Sequence, residues 1–233
     1  MFLYLQSDRK VMVGELILGG GGTEEEALEV NQYVTQDVNK VLYIPLAWKD
    51  SDYESCLQWF TPLMSKFNIT DIAMVTDTSK DPLLDTFDVV YIGGGNTFKL
   101  LKALRGKGLD QKLLSYYKNG GRIAGSSAGS LIFGKSIDTA PICVHADVNT
   151  VGLKDTSGLD ACQGWDIQAH YVDNQENNHM NYSKGIGRNV IGIPNESAVV
   201  VQEKSCKVIG KKSVSLITKE GVKKIDVNGT FSL

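Results

Sequence analysis

Histidine, cysteine and arginine are all scarce in this chain, and each scarcity closes off some chemistry. Only three histidines, His145, His170 and His179, are available to a His-dependent mechanism. No two of them make the H-x-x-x-H spacing of a helical metal pair, so a metal or other cofactor is not expected. The four cysteines, Cys56, Cys143, Cys162 and Cys206, never come closer than nineteen positions, which leaves no CxxC knuckle or redox pair. Cysteines so scattered read as small buried hydrophobes in a reducing, cytoplasmic setting. Of 24 basic residues only Arg9, Arg105, Arg122 and Arg188 are arginines, and the net charge is −3. Without a concentrated positive face there is nothing to hold a phosphate backbone, which argues against nucleic acid as a partner. No window reaches the roughly 18 consecutive apolar residues of a membrane helix. Met1–Lys10 shows no positive stretch leading into a long apolar one, so neither a leader nor a membrane partner is expected.

Hydrophobic residues make up 42% and charged residues 22% of the 233 positions, which excludes a disordered chain. The length suits one α/β domain spanning residues 1–233, as a monomer or homodimer. Short β-branched runs alternate with helical periodicity through the first two thirds, the pattern of a mostly parallel sheet covered by helices. Strands are predicted at Val11–Leu18, Val41–Leu46, Asp71–Thr76, Asp88–Ile92 and Arg122–Gly125. Helices are predicted at Glu24–Asp37, Tyr53–Phe67, Thr97–Leu104, Leu109–Lys118 and Ala128–Phe133. Thr23 followed by Glu24, Glu25 and Glu26 gives the first helix a capping residue and an acidic first turn. Close-spaced strands at Val190–Ile193, Ala198–Val201, Lys207–Ile209, Val214–Thr218 and Gly221–Val227 read as an antiparallel C-terminal extension of the sheet.

What is abundant is glycine at strand ends. Gly125-Ser126-Ser127-Ala128-Gly129 matches G-x-S-x-G and lies between a predicted strand and a predicted helix. That pattern puts a serine on a strained strand-to-helix turn, with its Oγ exposed and free N–H groups of the next helix beside it. Gly93-Gly94-Gly95-Asn96-Thr97 follows another apolar strand, where backbone N–H groups suit an oxyanion donor better than a P-loop, since no Lys-Ser/Thr follows. Gly19–Gly22 sits between a strand and a capped helix and reads as a close backbone approach to the same cleft, or as a flexible turn.

A serine nucleophile needs a base. His170 ends the alternating stretch Gly164–Ala169 and stands at a strand end, His145 lies in a loop, and His179 falls in the polar run Asp173–Tyr182, expected at the surface. An acid that orients the imidazole is harder to select. Asp138, Asp147, Asp155, Asp160, Asp166 and Asp173 all qualify by position, with Asp138 favoured because it follows the nucleophile's helix.

Tyr91-Ile92-Gly93-Gly94-Gly95-Asn96-Thr97, Gly120–Ser130, His170-Tyr171 and Val190–Ala198 together resemble the peptidase E family of α-aspartyl dipeptidases, with cyanophycinase as a relative. The resemblance covers roughly residues 88–201. It implies a three-layer α/β/α sandwich related to class I glutamine amidotransferases. It also implies a serine peptidase acting on short peptides, among them dipeptides with an N-terminal aspartyl residue. Carried over, Ser127 is the nucleophile and His170 the base, with the N–H groups of Gly94 or Gly95 and of Ala128 forming the oxyanion hole. Asp138 is the nearest match for the acid, through the following Pro141, and Asp147 is the fallback. Asn96, Thr97 and Glu196 are the candidate substrate contacts. Family members hold an acidic residue with basic or amide side chains after the histidine, whereas Val172–Met180 carries no Arg or Lys here. The alternatives to a peptidase are an esterase or amidase on the same machinery, or an inactive ligand-binding or sensor module.

Overall fold

The computed structural model describes residues 13–233. The Met1–Lys10 stretch and the first two residues of the predicted strand Val11–Leu18 lie outside the described residues. In chain order the first elements are β1 (Glu15–Gly19), α1 (Leu28–Val34), β2 (Lys40–Ile44), α2 (Tyr53–Ser65), β3 (Asp71–Met74) and β4 (Val89–Ile92). They continue with α3 (Thr97–Arg105), α4 (Leu109–Lys118), β5 (Arg122–Ser126) and α5 (Ala128–Leu131). The remainder comprises β6 (Asp166–Gln168), α6 (Glu176–Ile186), β7 (Val190–Gly192), β8 (Ser197–Gln202), β9 (Ser205–Gly210), β10 (Val214–Ile217), β11 (Val222–Ile225) and β12 (Thr230–Ser232).

The main sheet has eight strands in the order β12-β9-β8-β1-β5-β4-β2-β3. The run from β1 to β3 is parallel, while β8, β9 and β12 are antiparallel. Successive side chains of a strand point to opposite faces, so both faces need cover when every position is apolar. In β1, β2 and β4, Leu16, Leu18, Leu42, Ile44, Val90 and Ile92 pack on one side with residues of α3, α4 and α5. Ile17, Val41, Tyr43, Val89 and Tyr91 pack on the other with residues of α1 and α2. The result is a three-layer α/β/α sandwich. Among the described residues no helix is long and apolar enough to cross a membrane.

Two predictions need correcting. The first helix begins at Leu28 and not at Glu24, because the Glu26 carboxylate turns back to accept the Thr23 N–H at 2.7 Å and the chain up to Ala27 forms turns. The C-terminal extension is divided between two sheets. β8, β9 and β12 extend the main sheet, whereas β7, β10 and β11 join β6 in a separate four-stranded sheet. The chain crosses between them just after β7. There Ile193 still donates its N–H to Gln168 O at 2.8 Å, Pro194 has no N–H to continue the ladder, and Ser197 O already accepts from Gly20 N at 3.0 Å.

Gly20 is the junction of the two sheets. Its N–H donates to Ser197 O and its carbonyl accepts the His170 N–H, both at 3.0 Å. A Cβ there would lie 2.1 Å from Pro194 O, closer than any packing tolerates. Gly20→Ala therefore has to push the β7–β8 crossing away and is expected to destabilise the fold by about 1–3 kcal/mol, in the range of other overpacking substitutions. Gly185→Ala is the control, because its Cβ meets nothing within 4 Å and alanine favours the helix. Thermal denaturation of the two variants checks this, and equal midpoints would refute it.

Candidate active site

Ser127 lies between β5 and α5 with φ 54° and ψ −116°, a conformation that non-glycine residues avoid and that the surroundings must enforce. Both flanking glycines are required by close approach. A Cβ on Gly125 would meet Gly129 O at 2.3 Å, and one on Gly129 would meet Ile92 O at 2.3 Å. The turn is held by Gly19 O at the end of β1, which accepts the Ser127 N–H at 3.2 Å and the Ser130 hydroxyl at 2.7 Å. With its own N–H engaged, Ser127 presents Oγ at the carboxyl ends of β1, β5 and β4, the place where open parallel sheets put ligands.

His170 meets it from the second sheet. The chain leaves β6 and places His170 at φ 52°, with its N–H on Gly20 O. Its Nε2 is 2.7 Å from Ser127 Oγ, and its Nδ1 is 2.8 Å from Asn195 Oδ1. A carbonyl oxygen only accepts, so Nδ1 carries the proton and Nε2 offers its lone pair to the serine. Burial pushes the His170 pKa below its ordinary value, although the Asn195 hydrogen bond and the carboxylates of Asp147 and Glu26 oppose that shift. Gly21 packs directly on the ring, since a Cβ there would lie 2.4 Å from Cε1.

The position beside Nδ1 belongs to an amide, and none of the six predicted aspartates occupies it. Asp138 accepts from Arg188 Nη2 at 2.7 Å, and Asp166, fully buried, accepts the Tyr182 hydroxyl at 2.7 Å and forms an ion pair with Arg188, whose Nε is 3.0 Å away. Asp155, Asp160 and Asp173 pair with Arg105, Lys135 and Lys224. Asp147 does reach the cleft, but its Oδ2 accepts the Thr97 N–H at 2.8 Å and the Thr97 hydroxyl at 2.6 Å. Asn195 lies between the predicted strands Val190–Ile193 and Ala198–Val201 and is not an acid, so nothing in the local sequence pattern marks it. Behind Asn195 stands Glu26, both of whose carboxylate oxygens are 3.4 Å from Nδ2. The Thr23-x-x-Glu26 spacing of a reciprocal cap was the available signal for that carboxylate.

The other histidines are placed differently. His145 is exposed and stands edge-on to His170, with ring centroids 5.5 Å apart. His179, expected at the surface, is fully buried on α6, where Nε2 lies 2.8 Å from Gln168 Oε1 and Nδ1 lies 3.0 Å from Gln175 O.

Of the predicted oxyanion donors, Gly94 lies against the serine, its hypothetical Cβ 3.2 Å from Ser127 Cβ. The N–H groups of Gly94 and Gly95 donate to no acceptor among the described residues, and that of Ala128 opens α5, where a helix leaves its N–H groups without internal partners. The substrate-contact candidates are less well placed. Asn96 caps α3 through Lys99 N and donates Nδ2 to Val148 O, each at 2.9 Å, which engages its amide in the scaffold. Glu196 pairs with Lys212 at 2.5 Å and lines neither cavity beside Ser127. Thr97 is buried, bound to Asp147, and lines the cleft.

Two cavities open from Ser127 and His170. One of about 280 Å³ is bordered by Thr97, Cys143, His145, Asp147 and Gln168. The other, of about 400 Å³, is walled by Tyr43, Trp48, Trp59 and Tyr91 with Lys49. A serine–imidazole pair with backbone donors beside it, set between two cavities, is the arrangement that acyl transfer requires.

Known proteins agree with this architecture. The chain is 30% identical over 126 residues to the uncharacterized peptidase YgaJ of Bacillus subtilis (strain 168), covering 50% of this chain and 54% of that protein. It is 36% identical over 98 residues to peptidase E of Streptomyces coelicolor, covering 40% of this chain and 37% of that protein. The chain thus spans about half or less of the length of these relatives. In fold it resembles the crystal structure of a peptidase from an acI-B1 Actinobacterium, with a TM-score of 0.71 at 17% identity over 96% of this chain and 98% of that one. Peptidase family S51 matches residues 16–209, most of the chain and every residue of the Ser127 site, and the protein belongs to that family.

Proposed function

We propose that the protein hydrolyses short peptides through an acyl-enzyme on Ser127. The observation that carries this reading is the linear run of Ser127 Oγ, His170 Nε2, His170 Nδ1 and Asn195 Oδ1, joined by contacts of 2.7 and 2.8 Å. Ser127 Oγ attacks the scissile carbonyl carbon while His170 Nε2 takes its proton. The carbonyl π pair moves onto oxygen, where the N–H groups of Ala128 and of Gly94 or Gly95 receive the charge. The tetrahedral carbon then expels the amine, which leaves with the proton from Nε2. Water repeats the sequence on the ester and restores the hydroxyl. Asn195 holds the imidazole in the required tautomer, the part an amide plays in Cys-His-Asn proteases.

The two cavities support short peptides as substrates, because each has room for a residue on one side of the scissile bond and neither is an extended groove. Their charges bear on which peptides. The smaller cavity is lined by one carboxylate, Asp147, and by no Lys or Arg, so an aspartyl side chain meets repulsion there. The larger sets Lys49 among aromatic walls, so the repulsion of aspartate applies to a side chain seated in the smaller one. A dipeptide library is expected to show faster cleavage of neutral or basic N-terminal residues than of N-terminal aspartate, and strict aspartyl selectivity would contradict this assignment of the cavities.

A fluorophosphonate probe is expected to label Ser127, and Ser127→Ala or His170→Ala to lower peptidase turnover by several orders of magnitude. Absence of label together with full activity of Ser127→Ala sinks the proposal. The pH dependence has a defined sign. The base must be unprotonated, and burial lowers its pKa, so the labelling rate should hold below the ordinary imidazole value of about 6.5 and fall only at more acid pH. An acid limb at or above that value would contradict the dominance of burial over the neighbouring carboxylates at His170.

A further inference from the structure

We infer that Glu26 is a positioning residue: its carboxylate fixes which end of the Asn195 amide faces His170, and thereby the tautomer in which His170 can accept the Ser127 proton. The inference rests on the reading of Ser127 and His170 as nucleophile and base.

An amide and a carboxylate are not equivalent neighbours for an imidazole. The two oxygens of an ionised carboxylate are alike, so an acid beside Nδ1 accepts its proton whichever way it is turned. An amide has one accepting and one donating end of nearly the same shape. With Oδ1 toward His170, Nδ1 holds the proton and Nε2 is free to take another. With Nδ2 toward His170, Nδ1 becomes the acceptor and the ring proton moves to Nε2. A histidine of that form donates to the serine and cannot remove its proton. Asn195 as orienting group therefore needs something that distinguishes its ends.

Glu26 does so. It is an acceptor only, and both of its oxygens face Asn195 Nδ2 at 3.4 Å. Turning the amide over would set Oδ1 against a carboxylate, exchanging a charge-assisted attraction for a repulsion. Glu26 is itself held in place. Its Oε2 accepts the Thr23 N–H at 2.7 Å, and its own N–H donates to Thr23 Oγ1 at 3.3 Å. The Thr23 N–H, and after it the Asn195 amide, hold its carboxyl below the usual glutamate range, so it is ionised at neutral pH. The surrounding backbone leaves no slack. A Cβ on Gly22 would lie 2.8 Å from both Asn195 Cβ and Glu26 Oε2, so the glycine loop clamps the two side chains together. The glutamate of the turn before α1 thus reaches the serine through two intermediaries, with no substrate contact of its own.

The test uses the labelling rate of Ser127 by a fluorophosphonate, which needs no knowledge of the natural substrate. Glu26→Gln gives Asn195 a neighbour that both donates and accepts, so the amide loses its preferred orientation. Labelling is expected to slow by at least about tenfold, as when other groups that orient a catalytic histidine are removed. Glu25→Gln, on an exposed neighbour outside the site, should leave the rate unchanged. Adding Asn195→Asp to Glu26→Gln is the decisive step. A carboxylate has no wrong end, so the double variant should recover most of the lost rate, which neither local unfolding nor a purely structural role for Glu26 allows. In parallel, nitrogen NMR of the imidazoles should find His170 as the Nδ1–H tautomer in the parent and partly as Nε2–H in Glu26→Gln. An unchanged rate and tautomer in Glu26→Gln would overturn the inference, and so would a double variant no faster than the single one. Failure of the underlying reading looks different, because the parent itself would then not be labelled at Ser127.

Discussion

The backbone of Gly20 carries the architecture of the site. Its N–H belongs to Ser197 at the start of an antiparallel strand of the main sheet, and its carbonyl belongs to His170 at the edge of the second sheet. One residue earlier, Gly19 O holds the N–H of Ser127. A single turn of backbone therefore sets the distance between the serine and the histidine, although the two are 43 positions apart in the chain and lie on different sheets. Only glycine permits this, since a Cβ on Gly20 would collide with Pro194 O and one on Gly21 with the imidazole. Backbone hydrogen bonds of this kind cost little to keep and are expensive to leave unmade, so the pairing of Ser127 and His170 is built into folding.

The same loop places an amide where the sequence pattern calls for an acid. Asn195 sits in the crossing from β7 to β8, immediately after the residue that Gly20 touches. Glu26 follows the glycine loop and closes the turn before α1 onto Thr23. The negative charge is one side chain farther from the imidazole than in a triad with an acid. Its stabilisation of an imidazolium is correspondingly weaker, because Coulomb energy falls with distance and Glu26 is partly exposed to solvent. Orientation, and not charge, is the contribution of Asn195 in the proposed reaction.

Much of this was legible in the sequence. The alternation of apolar strands and periodic helices specified the layered sheet, because buried parallel strands need apolar residues on both faces. Gly125 and Gly129 marked the elbow because the turn packs against backbone at both positions. His170 was singled out by its strand-end setting and by the family it resembles. The orienting group was not legible. An asparagine between Pro194 and Glu196 has the composition of any turn, and its role comes from a crossing between two sheets that local pattern does not encode. The same holds for His179, whose polar neighbours suggest solvent although Gln168 and Tyr171 enclose it. Asp138 drew attention by proximity in sequence to the nucleophile's helix, yet the chain carries it to Arg188, where it completes a buried ion network with Asp166.

If Ser127 is an activated nucleophile facing a preformed oxyanion site, a crystal structure of the phosphonylated protein will show it. Phosphorus is expected bonded to Ser127 Oγ, with one phosphonyl oxygen about 3 Å from the N–H of Ala128 and from that of Gly94 or Gly95. His170 should remain on Asn195 Oδ1. An adduct on another residue, or a phosphonyl oxygen turned away from those N–H groups into solvent, would contradict it.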